Sequence, residues 1–128
     1  MWIYNGSEFT EDMIEDNVGF VYIITNLTNN KFYIGKKLFS KSKTYQKNKK
    51  KKKKRVSSNW VDYTGSNDQL NEDIKNGDQV KKEIIHLCKS KGWMSYMETK
   101  EILVRDCLLN DKYYNTWISA RIRRSHLK

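Results

Sequence analysis

The sequence predicts one domain of the α/β class in its α+β form, with three strands and helices between and beyond them. Three observations predict it. Gly19–Thr25 and Lys31–Lys37, both rich in Val, Ile, Tyr, Phe and Thr, flank the Asn-rich turn 26–30, which is the pattern of a β-hairpin. Val80–Cys88 alternates loosely and closes on Ile84-Ile85-His86-Leu87-Cys88, a third strand. Apolar residues at helical spacing recur over about 67–76 and about 96–109.

Taken in order, residues 1–18 read as an extended start and a short acidic helix capped by Thr10, with Met13 and Ile14 as its apolar contacts. The hairpin follows, with Tyr22 and Tyr33 expected near each other on one face. Residues 38–59 form a basic insertion in which Lys49 to Lys54 are six consecutive like charges, predicting a mobile loop or strand ends that order on a polyanion. In Asn59–Ser66, Trp60 and Tyr63 bring large apolar area and Gly65 marks a tight backbone position. Ser66 or Asn67 can cap the first helix, Leu70 and Ile74 face inward, and Gly77 stops it. Ser95 opens the longest helix, whose buried side is Met97, Ile102, Leu103, Val104, Cys107 and Leu108. Tyr113–Trp117 and the basic tail Arg121-Ile122-Arg123-Arg124 close the sequence. No repeat and no linker divides residues 1–128, so a single domain is expected.

Charge narrows the class of partner. The protein of 128 residues carries a net charge of +10. Nine lysines, one arginine and no acid lie between Lys41 and Arg55, and the remaining 15 of the 25 basic residues balance the 15 acidic ones. A balanced domain with one basic arm predicts a nucleic-acid partner, the alternative being a merely solvated lysine loop. No apolar run approaches the roughly 20 residues of a membrane helix, and Met1–Asp16 has no signal-peptide pattern. Cys88 and Cys107 sit in apolar surroundings and are expected as reduced core thiols of a cytoplasmic protein. Two Cys and two His at scattered positions make no zinc site, and no glycine-rich phosphate loop is present. His86 reads as a satisfied, half-buried strand histidine and His126 as a solvated tail residue.

Val21-Tyr22, ten intervening residues and then Tyr33-Ile34-Gly35 resemble the signature of the GIY-YIG endonucleases. Phe20 stands in the slot of the first glycine and Gly19 precedes it. Trp60-x-x-Tyr63-x-Gly65-Ser66, Glu98-Thr99-Lys100 and Tyr114-Asn115 resemble small phage-type members of that family, so the resemblance runs from residue 19 to 117. It implies a small antiparallel three-stranded sheet flanked by helices. It also implies divalent-metal cleavage of double-stranded DNA by a phage or mobile-element enzyme acting in the bacterial host cytoplasm. A single active site would have to dimerise, or act twice, to break both strands.

The resemblance makes Tyr22 the first choice of general base and Tyr33 the group that orients the water or shares its proton. A phenol is a weak base unless cations favour its phenolate, and Lys31, Lys36 and Lys37 bracket the pair in sequence. The alternative is two packed sheet tyrosines. Glu98 matches the family's helix glutamate and would hold Mg²⁺ or Mn²⁺. It also completes a capping box with Ser95, which is the competing role. Glu101 is the runner-up, against an i,i+4 pair with Arg105. The family arginine after Tyr-Ile-Gly is missing; Lys43 sits nearest its spacing, and Arg55, after the insertion, is favoured as the phosphate clamp. Lys36 and Lys37 are either phosphate contacts or solvated strand-end residues. Gly35 and Asn115 are supporting residues, Asn115 bracing the metal side or serving only as a turn asparagine. Lys37, Lys43 and Lys49, Lys50, Lys51, Lys52, Lys53 and Lys54 are the expected nucleic-acid contacts. Trp60 and Tyr63 fit core packing better than base stacking. The competing class is a non-catalytic nucleic-acid binder that uses the basic arm and aromatic residues alone.

Overall fold

The computed structural model describes residues 1–127; residue 128 and the side chain of Lys43 lie outside the described set. The predicted hairpin forms the middle of the fold as β3 (Gly19–Asn26) and β4 (Lys31–Leu38), paired antiparallel from Gly19↔Leu38 to Asn26↔Lys31. The third predicted strand, β7 (Val80–Cys88), pairs antiparallel with β3 on its other side. The register slips between Val21 and Tyr22, a bulge directly beside the first tyrosine.

The sheet is wider than the expected three antiparallel strands. The N-terminus adds β1 (Trp2–Tyr4), parallel to β7, and β2 (Ser7–Glu8), giving the order β2-β1-β7-β3-β4. Asn5 and Gly6, both at positive φ, turn the backbone between β1 and β2. The anchor is Trp2: its ring is 1% exposed, and its indole donates to the Trp60 carbonyl at 2.7 Å. The acidic segment after β2 forms a single 3₁₀ turn, Glu11–Met13, rather than an α-helix.

Two apolar clusters cover the two faces of the sheet. Trp2, Phe9, Phe20, Tyr22, Phe39, Trp60, Leu70 and Tyr114 fill one. Val21, Ile34, Cys88, Met94, Ile102 and Cys107 fill the other. Trp60 is therefore core, and both cysteines are buried, unpaired thiols, pushed up to about 11 by burial. Helix α1 (Asp68–Lys75) is capped by Asn67, whose side chain accepts from the Leu70 amide. Helix α2 (Lys91–Val104) begins five residues before the expected start. Its cap is Ser90, which accepts from the Trp93 amide, and the helix ends before a separate 3₁₀ turn at Cys107–Leu109. Ser95 thus lies inside α2 and forms no capping box with Glu98. Among the described residues no helix is long and apolar enough to cross a membrane.

The basic insertion is a paired two-stranded ribbon, where the sequence predicts a mobile loop or strand ends that order on DNA. Strands β5 (Ser40–Lys47) and β6 (Lys50–Ser57) pair over their full length and join through Asn48 and Lys49, at φ of 52° and 62°. Two successive positive φ values make the primed type of two-residue turn, whose twist matches that of the strands. Alternation sends neighbouring lysines to opposite faces, which relieves the repulsion that a run of six like charges implies.

The free edge of β4 is closed by the segment that follows α2. The Phe32 amide donates to the Lys112 carbonyl and the Tyr114 amide to the Phe32 carbonyl, both at 2.7 Å. Asn115 continues the ladder with its side chain, accepting from the Ile34 amide at 3.0 Å and donating to the Ile34 carbonyl at 2.8 Å.

Candidate active site

A cleft of about 580 Å³ opens where the edge of β4 meets the N-terminus of α1, the side of α2 and residues 115–119. Tyr22, Tyr33, Lys36, Ser66, Glu98, Asn115 and Trp117 are in its wall. Four segments far apart in sequence therefore converge on it.

Tyr22 and Tyr33 share a sheet face, as expected, with ring centroids 6.2 Å apart. Two glycines make room for the Tyr22 hydroxyl. Gly35 is its cross-strand partner, and a Cβ there would lie 2.2 Å from Tyr22 Oη. Gly65, at φ +87°, passes so close that a Cβ would lie 3.1 Å from the Tyr33 ring and 3.3 Å from Tyr22 Oη. The Tyr-Ile-Gly glycine thus has a packing reason that the sequence alone does not reveal. Tyr33 Oη is hydrogen-bonded to Ser66 Oγ at 3.1 Å.

The lysines are not arranged to ionise these phenols. Lys36 Nζ donates to Ser95 Oγ at 2.8 Å and lies 4.0 Å from Glu98 Oε1. Lys37 lies over the Tyr63 ring at 4.2 Å and Lys31 over the Tyr114 ring at 4.6 Å. Burial, with Tyr63, Tyr33 and the Glu98 carboxylate nearby, pushes the Tyr22 phenol well above its ordinary value. Burial also raises Tyr33, against the opposing effect of the Ser66 hydrogen bond. Both phenols are neutral in the free protein at neutral pH.

Glu98 projects from the second turn of α2 into the cleft, its side chain 17% exposed. Burial raises its carboxyl above the usual glutamate range, partly offset by Lys36. Glu101, three residues on, faces elsewhere. It is bound by His86 Nε2 and Arg105 Nε, each at 2.9 Å, and does not line the cleft. Burial opposes its ionisation, and those two partners outweigh burial and hold it below the usual range. A 100° step per residue places Glu101 about 60° round the helix from Glu98, enough to bring it over β7. The runner-up ligand is thus engaged in a structural link, and His86 is the satisfied histidine its strand position suggested.

Arg55 lies on β6, where it donates to Ser42 Oγ and to the carbonyl and hydroxyl oxygens of Ser40. It does not line the cleft and belongs to the separate two-stranded ribbon. Lys43, the other stand-in for the family arginine, has a side chain outside the described set. Among the described residues that line the cleft, the cation is Lys36. Asn115 lines the cleft but uses both amide atoms on Ile34, so it fixes the edge of the site.

Sequence reasoning named three further residues in other roles and missed their place at the cleft. Ser95 holds Lys36, Ser66 holds Tyr33, and Trp117 stands at the rim, 71% exposed. A serine ahead of an apolar stripe reads first as a helix cap, which hides a role toward a lysine or tyrosine distant in sequence. An aromatic two residues beyond Asn115 was the one available signal.

The carboxylates in the cleft wall are Glu98 and Asp68, and among the described residues no group of three or more His, Cys, Asp or Glu converges. That donor set does not suit zinc. It fits a hard ion that takes one or two carboxylates and keeps waters for its other positions, as Mg²⁺ does.

An antiparallel core carrying a tyrosine pair, faced across a polar cleft by a helix glutamate and a lysine, is the build of a small α+β domain made for chemistry at a polar substrate. The family model described as "Putative endonuclease segE, GIY-YIG domain" matches residues 2–118, and the chain belongs to the GIY-YIG endonuclease family. Membership supports a nuclease function. No curated protein and no solved structure matches the sequence.

Proposed function

We propose that the protein is a metal-dependent endonuclease that hydrolyses phosphodiester bonds of double-stranded DNA. The convergence of Tyr22, Tyr33, Lys36 and Glu98 on one cleft carries this reading. Glu98 would hold Mg²⁺ or Mn²⁺ at the cleft, and the ion, when bound, would supply positive charge that stabilises the extra phosphate charge and favours ionisation of nearby oxygen acids.

The remaining work falls to side chains of the protein itself. Tyr33, steadied by Ser66, orients the attacking water. Tyr22 Oη takes its proton as the phenolate; burial keeps the phenol neutral in the free protein, so it must first release its own proton to solvent, a release that a cation held at Glu98 would favour. The water oxygen bonds to phosphorus, the bond from phosphorus to the 3′ oxygen breaks, and that oxygen takes a proton from solvent. The products carry 5′-phosphate and 3′-hydroxyl ends. Lys36, fixed by Ser95, meets a non-bridging phosphate oxygen from the Glu98 side. The lysine ribbon holds the duplex through counterion release.

The test is supercoiled plasmid incubated with Mg²⁺ or EDTA, beside Tyr22→Phe and Glu98→Ala. Metal-dependent nicking that falls by about 10²-fold or more in both variants, with duplex binding retained, is the expected result. Salt-sensitive binding without cleavage under any divalent ion would overturn the enzyme reading and leave a binding module.

A further inference from the structure

The ribbon sorts its residues by face. Directly opposed residues in an antiparallel pair project to the same side, and successive residues alternate. The register pairs Lys41 with Val56, Tyr45 with Lys52 and Lys47 with Lys50, so one face carries Lys41, Tyr45, Lys47, Lys50, Lys52 and Lys54. Lys54 lying 5.6 Å over the Tyr45 ring fits that assignment. The register pairs Ser42 with Arg55, Thr44 with Lys53 and Gln46 with Lys51 on the other face. The hydrogen bond from Arg55 to Ser42 crosses that second face.

The five lysines of β6 and Arg55 after them supply charge to both faces alike, three residues to each. The difference between them comes from β5, which alternates lysine or tyrosine on one side with Ser42, Thr44 and Gln46 on the other. An arm that only gripped phosphates would need no such division. Gln bonds the adenine edge in a bidentate way, Arg the guanine edge, and Ser or Thr either base. A two-stranded ribbon is also the right size: strands of eight residues reach about 26 Å, and the major groove, about 12 Å wide, admits a β-ribbon. From Lys47 through Arg55 the ribbon is exposed throughout, so no other part of the protein occupies it.

We propose that the β5–β6 ribbon enters the major groove of duplex DNA with the face of Thr44, Gln46, Lys51 and Lys53 toward the base edges, while the lysines of the other face reach past the strand edges to the phosphates on either side of the groove. Base preference then resides in the ribbon and not in the cleft that holds the tyrosine pair. This extends the nuclease reading by naming what selects the DNA.

The experiment is selection of bound sequences from a random duplex library in EDTA, where no cleavage is needed. Failure of the nuclease reading would appear in the plasmid assay and leave this one intact. The variants are Thr44→Ala/Gln46→Ala and, separately, Lys50→Gln/Lys52→Gln. All four positions are exposed, so neither pair disturbs the core. The unaltered protein is expected to enrich a short motif. The Thr44/Gln46 pair should lower that enrichment about tenfold or more, while affinity for random duplex stays within about twofold. The lysine pair should weaken binding to every sequence and keep the motif. An unselected library with the unaltered protein, a motif that survives in the Thr44/Gln46 pair, or stronger binding to single strands than to duplex would each overturn the proposal.

Discussion

The cleft and the ribbon solve opposite problems. In the cleft the polar side chains are held by partners: Lys36 by Ser95, Tyr33 by Ser66, Asn115 by both polar atoms of Ile34. The ribbon is paired only strand to strand and leaves its lysines in solvent. A site that must hold reacting atoms in place needs side chains locked by packing. A surface that works by releasing counterions needs charge that water can reach. The contrast teaches that a cleft of fixed side chains and a solvated, charged arm are physically separable within one small domain; on the proposed function, so are cleavage and grip. The consequences can be measured.

The largest expected effect is on the ribbon. Replacing Lys50 to Lys54 by glutamine should lower duplex affinity on the order of 10²-fold at physiological salt. It should also reduce the slope of log affinity against log salt by about 0.9 for each phosphate no longer neutralised. The melting temperature should not fall, since these side chains are exposed. A salt titration and a thermal melt check both, and a large fall in melting temperature would break the separation. A smaller effect is expected where the two regions meet the same DNA. Trp117, exposed at the cleft rim, offers a stacking face, and Trp117→Ala should weaken duplex binding by about fivefold, the equivalent of ~1 kcal/mol. An unchanged Kd in fluorescence anisotropy would remove Trp117 from the interface.

The smallest effect sharpens the comparison from the cleft side. The Glu98 carboxyl is raised by burial, so the folded protein binds its proton more tightly than the unfolded one does. Its contribution to stability is therefore present below the ordinary glutamate range and lost as pH rises through the raised value. At neutral pH the buried carboxylate is a burden. Glu98→Gln should raise the melting temperature, by no more than about 3 °C, while abolishing cleavage. The gain should vanish as the pH is brought below the glutamate range, and calorimetry across pH reads it.

The hairpin and both helices are legible in sequence because their signals are local: β-branched and aromatic runs around an Asn-rich turn, and Asn67 ahead of an apolar stripe. The N-terminal strands are not, since three residues carry no periodicity and β1 finds its parallel partner about 80 residues away on β7. The start of α2 is hidden because its first turn holds no acid to mark it, whereas Ser95 and Glu98 imitate a cap inside the helix. The ribbon reads only as a mobile loop or as strand ends because a lysine run hides register, which the Asn48–Lys49 turn sets. In the cleft, the tyrosine pair and Glu98 come from motif spacing. The removal of Arg55 to the ribbon, and the diversion of Glu101 to His86, depend on long-range placement that no spacing encodes.

The closure of β4 by residues 112–115 reaches beyond the site. An outermost strand with free amides and carbonyls is a template on which another polypeptide can add a strand of its own. Here the main chain of 112–114 and one asparagine side chain occupy the Phe32 and Ile34 positions that an incoming strand would need. The same asparagine that shapes the cleft thus also blocks strand addition at the Phe32–Ile34 stretch of the strand that ends the sheet.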